Sequence, residues 1–127
     1  MATLKILLID DSKTIQAFVR ECFSNNKNID LITADNGKIG LESLKDEDDV
    51  DCILLDWEMP VMNGIETLIE IKKKYPKITV MMLTVRNGAL DIQKMLSLGA
   101  DEYIMKPFTR DILLEKLDKL MVKKGLK

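Results

Sequence analysis

The sequence predicts an α/β domain: a doubly wound parallel sheet of five strands with helices on both faces. Two observations predict it. Strand-length apolar runs at 4–9, 31–34, 52–55, 78–83 and 102–105 alternate five times with stretches of helical periodicity, the pattern of strand–helix units feeding a parallel sheet. The runs at 4–9, 52–55 and 78–83 are also apolar almost throughout, as strands covered on both faces must be.

Each element has its own signal. The first run ends in Asp10-Asp11, and Ser12 is a good helix N-cap. Ile15, Phe18, Val19, Cys22 and Phe23 then fall at i, i+3, i+4, i+7 and i+8, one face of a helix that closes at 25–28. The 31–34 strand turns through Asp35-Asn36-Gly37 into a helix carrying Ile39, Leu41 and Leu44, and the charged stretch 45–49 reads as a solvated loop. The third strand, 52–55, runs out in Asp56, and the chain turns through Met59-Pro60 and Met62-Asn63-Gly64. Asn63-Gly64 starts a helix with Ile65, Leu68, Ile69 and Ile71 inward, ending before Pro76. The 78–83 strand ends in Thr84. Asn87-Gly88 leads to a helix through Ile92, Met95 and Leu96, stopped by Gly99 as a C′ glycine. The fifth strand ends in Lys106-Pro107, and Thr109 caps a last helix with Leu113, Leu114, Leu117, Leu120 and Met121. Connections are short, so the reading is of one domain over 1–127 with no separate output domain.

Bulk properties exclude several function classes. The formal net charge of −2 gives no electrostatic case for nucleic acid, whose binders carry a clustered basic surplus. No apolar run approaches the roughly 20 residues of a membrane span. Lys5 interrupts the N-terminal apolar run, so it is no signal peptide. Cys22 and Cys52 fall inside apolar patterns and read as buried free thiols. A monomer in the cytoplasm fits these features. The chain has no histidine, which excludes a Ser-His-Asp or Cys-His nucleophile within it and argues against zinc. Any metal must be a hard cation held by oxygen.

The strand ends carry the chemistry. In open α/β sheets the functional crevice lies beyond the carboxyl ends of the strands. The first strand delivers Asp10 and Asp11 there, the third Asp56, the fourth Thr84 and the fifth Lys106. An acid at one strand end is equally well a helix cap or a solvated turn residue. Polar groups of this kind at four of five ends are not explained by solvation alone. Two carboxylates about 5 Å apart repel by roughly 3 kcal/mol at an effective dielectric near 20, and a divalent cation relieves that cost. Few, oxygen-only ligands suit Mg²⁺, which keeps several waters and favours a site shared with phosphate. Three carboxylates, one lysine and one Mg²⁺ sum to zero charge, so the loaded site accepts an anionic phosphoryl group. A structural salt-bridge cluster of Lys106 with the acids is the competing reading, and it leaves Thr84 unexplained.

Ile9-Asp10-Asp11-Ser12, Asp56-Trp57-Glu58-Met59-Pro60 with Asn63-Gly64, Thr84, and Tyr103 before Lys106-Pro107-Phe108-Thr109 together resemble the receiver domain of two-component response regulators. The resemblance spans the chain and is nearest to the stand-alone chemotaxis regulators of that family. It implies the strand order 2-1-3-4-5, for which those regulators are themselves a standard example. It implies that Asp56 is the phosphoacceptor for a histidine on a partner kinase. By the same resemblance Asp11, Asp56 and the Glu58 main-chain carbonyl ligate Mg²⁺, with Asp10 acting through water. Lys106 and Thr84 bind phosphoryl oxygens. Thr84 and Tyr103 form the switch that reshapes the face of the fourth helix, fifth strand and fifth helix. A cis Lys106-Pro107 bond is also implied. The implied partners are a histidine kinase, a flagellar switch component and a phosphatase. Such a protein is no enzyme beyond its own phosphorylation and dephosphorylation.

Three positions depart from the pattern: Glu58, Val85 and Arg86. Glu58 and Arg86 either pair across the site mouth or stay solvated. On the last helix, Arg110, Asp111, Lys116 and Lys119 are placed toward solvent beside Tyr103. A phosphate sink or phosphorelay intermediate shares the same site. A haloacid-dehalogenase-like phosphatase needs Asp-x-Asp on its nucleophilic strand, and here Asp56 is followed by Trp57-Glu58. A flavodoxin-like electron carrier needs a phosphate loop where Asp10-Asp11 would repel it.

Overall fold

The structure, a computed structural model, describes residues 4–47 and 49–125. Five strands, β1 (Leu4–Ile9), β2 (Ile29–Ala34), β3 (Cys52–Asp56), β4 (Thr79–Thr84) and β5 (Glu102–Met105), alternate with five helices. The helices are α1 (Lys13–Phe23), α2 (Gly37–Asp46), α3 (Gly64–Lys74), α4 (Ala89–Ser97) and α5 (Arg110–Lys123). All strand pairs are parallel, in the order β2-β1-β3-β4-β5. The predicted architecture and strand order are both present.

Alternation of side chains along each strand divides the core in two. Ile6, Leu8, Cys52, Leu54, Met81 and Leu83 point to the face covered by α1 and α5, where they meet Val19, Phe23, Leu113 and Leu117. Leu7, Ile9, Ile53, Leu55, Val80 and Met82 point to the opposite face, covered by α2, α3 and α4 through Leu44, Leu68, Ile71 and Met95. β3 and β4 are buried along their whole lengths. The continuous apolar runs follow from this double burial.

The caps are where the sequence places them. Ser12, Asn36, Asn63 and Thr109 each accept a hydrogen bond from a backbone N–H in the first turn of the helix they start, and Asn63 with Glu66 completes a capping box. Gly99 follows α4 with φ 107, the left-handed conformation a C′ glycine supplies.

Some boundaries and orientations differ from the sequence reading. β2 begins at Ile29, two residues early, because Leu4 N–H bonds to the Asn28 carbonyl and draws the strand into register. Lys45 and Asp46 belong to α2 rather than to a loop, while Asp48 lies outside the described residues. Ile69, placed inward, is exposed. The buried face of α3 runs through Ile65, Leu68 and Ile71, and Ile69 is turned about 100° away from Leu68 on the far side.

Candidate functional site

Register aligns the strand ends. Ile9 pairs with Leu55, Asp56 with Leu83 and Thr84 with Met105, so the residues that end or follow β1, β3, β4 and β5 share one edge. Asp10, Asp11, Asp56, Thr84 and Lys106 line a single cavity of about 180 Å³ there, with Glu58 and Val85 at its wall. The site residues predicted from sequence are brought together, with Tyr103 set apart from them on β5.

Asp10 is fully buried and Asp56 nearly so. Lys106 Nζ donates to an oxygen of each at 2.9 Å, and the Lys106–Pro107 peptide is cis. The Ser12 N–H donates to the other Asp10 oxygen at 2.9 Å. The Asp11 side chain belongs to an exposed residue, yet carboxylate oxygens of Asp10, Asp11 and Asp56 all lie within 4.8 Å of one another. The Asp56 carboxyl is raised to about 6: burial pushes it up most, the Lys106 hydrogen bond pulls against this, and the Asp10 and Asp11 charges add to the rise. Burial also works against the charged form of Lys106, but its hydrogen bonds to Asp56 and Asp10 prevail and raise it. One ammonium thus faces three clustered carboxylates.

Thr84 is 1% exposed. Its hydroxyl oxygen accepts the Arg86 N–H at 2.9 Å, which leaves its own proton free to be donated into the cavity. The backbone behind Asp56 is held by close approach. Gly64 N–H bonds to the Trp57 carbonyl at 2.7 Å, and a Cβ on Gly64 would sit 2.2 Å from the Asp56 carbonyl oxygen. Only glycine fits there.

At the mouth, Glu58 and Arg86 do pair, Nε donating to Oε1 at 2.7 Å. The Arg86 guanidinium also lies 4.8 Å from the Trp57 ring centroid. Tyr103 is half-buried against the α2–α4 side of the core. Lys116, placed toward solvent by the sequence reading, instead donates to the Tyr103 carbonyl at 3.0 Å and lies 5.2 Å from its ring centroid. The reason is reach: a lysine stem on α5 spans the gap to β5 and keeps its head on polar atoms. Arg110, Asp111 and Lys119 are exposed, and Lys119 pairs with Glu115 one turn earlier.

The sequence reading missed Gln16. It is 4% exposed and donates to the Asp10 carbonyl at 2.7 Å and to Asp35 at 2.9 Å. A signal existed, since Gln16 stands three residues before Val19 and seven before Phe23, a polar residue on the buried stripe of α1.

Comparison with known proteins settles the family. Residues 6–118 match the response regulator receiver domain. The chain belongs to that family. A chemotaxis protein CheY homolog of Campylobacter jejuni is 32% identical over 120 residues, 93% of this chain and 92% of that protein. The transcriptional regulatory protein CpxR of Escherichia coli is 38% identical over 104 residues, 82% of this chain but 43% of CpxR. The crystal structure of a CheY-like receiver domain protein from Methanospirillum hungatei superposes with a TM-score of 0.89 at 27% identity, covering 98% of both chains. This receiver domain is thus a component of two-component signalling, a family of regulators rather than of enzymes acting on external substrates. Among the described residues no helix is long and apolar enough to cross a membrane.

The family implies a divalent cation, and the donor set fits one. The three clustered carboxylates are hard oxygen ligands within reach of one ion, and two of them, Asp10 and Asp56, share the single Lys106 ammonium.

Proposed function

We propose that this receiver accepts a phosphoryl group on Asp56 from a phosphohistidine of a partner kinase, with Mg²⁺ bound, and signals by phosphorylation-dependent protein binding. The observation that carries the reading is Lys106, whose ammonium bridges the two buried carboxylates Asp10 and Asp56 in the cavity that Thr84 also lines.

Asp10, Asp11, Asp56 and the Glu58 main-chain carbonyl are the groups that would hold the cation. When bound, it supplies positive charge that screens the attacking carboxylate from the incoming phosphoryl oxygens. A carboxylate oxygen of Asp56 attacks phosphorus, the phosphorus–nitrogen bond breaks, and its electron pair returns to the imidazole of the donor. Lys106 and the Thr84 hydroxyl donate hydrogen bonds to the oxygens of the transferred group. Water later cleaves the acyl phosphate and restores Asp56, which makes the chain a catalyst only of its own two reactions. The lack of histidine is in keeping with a donor on another protein.

Output is assigned to the face of α4, β5 and α5, with Thr84 and Tyr103 as the switch. The near end-to-end match to a chemotaxis protein supports a flagellar switch component as the partner, a separate phosphatase as the reset, and the cytoplasm as the place of action. A single domain acting as a monomer is part of the same proposal.

The test is incubation with a small phosphodonor and Mg²⁺, read by intact mass. Wild type gains one phosphoryl group and Asp56→Asn gains none. Undiminished labelling of Asp56→Asn would move the acceptor to Asp10 or Asp11.

A further inference from the structure

Asp10 has a partner for every polar atom. Its N–H bonds to the Ala34 carbonyl at 3.0 Å, and its two carboxylate oxygens take the Ser12 N–H and Lys106. Its carbonyl lies two residues before the N-cap of α1, too early to accept from the helix ladder. Gln16 supplies the missing donor at 2.7 Å.

The assignment of the amide nitrogen is chemically forced. Both partners of this atom, the Asp10 carbonyl and Asp35 Oδ1 at 2.9 Å, are acceptors only, so the donor end of the amide faces them. The same Asp35 oxygen accepts Lys13 Nζ at 2.7 Å. Gln16 is thereby braced on two sides, by the end of β1 and by the turn after β2.

The carbonyl it holds belongs to the peptide that joins Asp10 to Asp11. A peptide unit is planar, so fixing its carbonyl fixes the orientation of the next N–H and the direction in which the chain leaves toward Asp11. Asp11 sits on an exposed residue, where packing does little to orient it, and its backbone sets where its carboxylate falls.

Resting on the cation-assisted reading above, we propose that Gln16 is a positioning residue for that pocket. Its amide fixes the Asp10–Asp11 peptide and so aims the Asp11 carboxylate at the site. Groups that orient ligands in this way commonly change metal affinity by about 10–100-fold when removed.

The experiment uses Mg²⁺ alone, titrated into the whole chain at constant ionic strength and followed by fluorescence of Trp57. Gln16→Met keeps the length and burial of the side chain and removes the donor; the Mg²⁺ dissociation constant should rise about tenfold. Val19→Ala, a core truncation on the same helix, controls for general loosening; it should lower the urea midpoint and leave the constant unchanged. Two exposed-site variants guard against misfolding of Gln16→Met. Asp35→Asn and Asp35→Ala remove the same charge, but only alanine removes the acceptor, so alanine should bind Mg²⁺ more weakly than asparagine. Wild-type affinity in Gln16→Met, an equal loss in Val19→Ala, or identical Asp35 variants would each overturn the positioning role while leaving the cation site standing. A wild type that shows no response to Mg²⁺ would overturn the cation reading and this inference with it.

Discussion

Lys106 Nζ lies 2.9 Å from a carboxylate oxygen of Asp56, fifty residues away in the chain. Because the same ammonium reaches Asp10, it is the main counter-charge for two buried acids. Lys106→Met, which keeps most of the stem, leaves both without it. Unfolding in urea without Mg²⁺ should show a loss of about 1–3 kcal/mol, limited because Asp56 can take up a proton instead. Added Mg²⁺ should restore most of the loss, since the cation replaces the missing charge. Equal midpoints for wild type and variant in the absence of Mg²⁺ would show that this bridge does not support the fold.

The pH dependence follows from the raised Asp56 carboxyl. Its folded value is about 6, above an unfolded value near 3.9. The folded chain therefore holds this proton more tightly, and protonation favours folding. The contribution of Asp56 is favourable at low pH and is lost as pH rises from about 4 to about 6. Asp56→Asn removes the ionisation. Its stability relative to wild type should be near zero at pH 4 and reach about 1–3 kcal/mol in its favour at pH 7, measured without Mg²⁺. Two other acids act in the opposite direction but cancel between the two proteins. Asp35 is held low by hydrogen bonds from Lys13 and Gln16. At Asp101 burial pushes upward but is outweighed by hydrogen bonds from Lys124 and the Val80 N–H. A flat difference across this range would mean that Asp56 titrates normally.

Much of this was legible because the determinants are local. Apolar runs such as 52–55 and 78–83 state their own burial, and Ser12, Asn63, Gly99 and Thr109 mark helix ends through chemistry carried by one residue. The convergence of Asp10, Asp56, Thr84 and Lys106 was legible because parallel strands must deliver their carboxyl ends to one edge. Gln16 was not found, because its role depends on a carbonyl that only the folded chain brings to it. The same is true of Lys116, whose contact with Tyr103 depends on the spacing between α5 and β5. Ile69 was misplaced because apolarity alone does not fix a helix face when its neighbours Leu68 and Ile71 already define another.

Gly64 tests how tightly the acceptor backbone is held. A Cβ there would lie 2.2 Å from the Asp56 carbonyl oxygen and 2.7 Å from Trp57 Cα. Both obstacles are backbone, so no side chain can yield. Gly64→Ala should cost about 1–3 kcal/mol of stability through overpacking and should also slow phosphoryl uptake, because relief of the clash moves the peptide that carries Asp56. Full stability with full uptake would show that α3 can shift away without disturbing the site.

Val61 offers the converse case, a position where substitution should stabilise. Its φ is 69, in the left-handed region that a β-branched residue rarely adopts. The turn is closed by the Met62 N–H bonding to the Pro60 carbonyl at 2.7 Å, which holds Val61 in place. The side chain is 76% exposed, so little packing offsets the strain. The three-residue hydrogen bond with positive φ makes this a strained γ-turn, and asparagine, unbranched at Cβ, crowds it less than valine does without the added chain entropy of glycine. Val61→Asn should therefore raise stability by about 1 kcal/mol, the lower end of the cost of such a residue. Phosphoryl uptake should be unchanged, because Val61 lies outside the cavity that Asp56 shares with Thr84 and Lys106. An unfolding midpoint at or below that of wild type would show that the loop gains from valine something its exposure does not reveal.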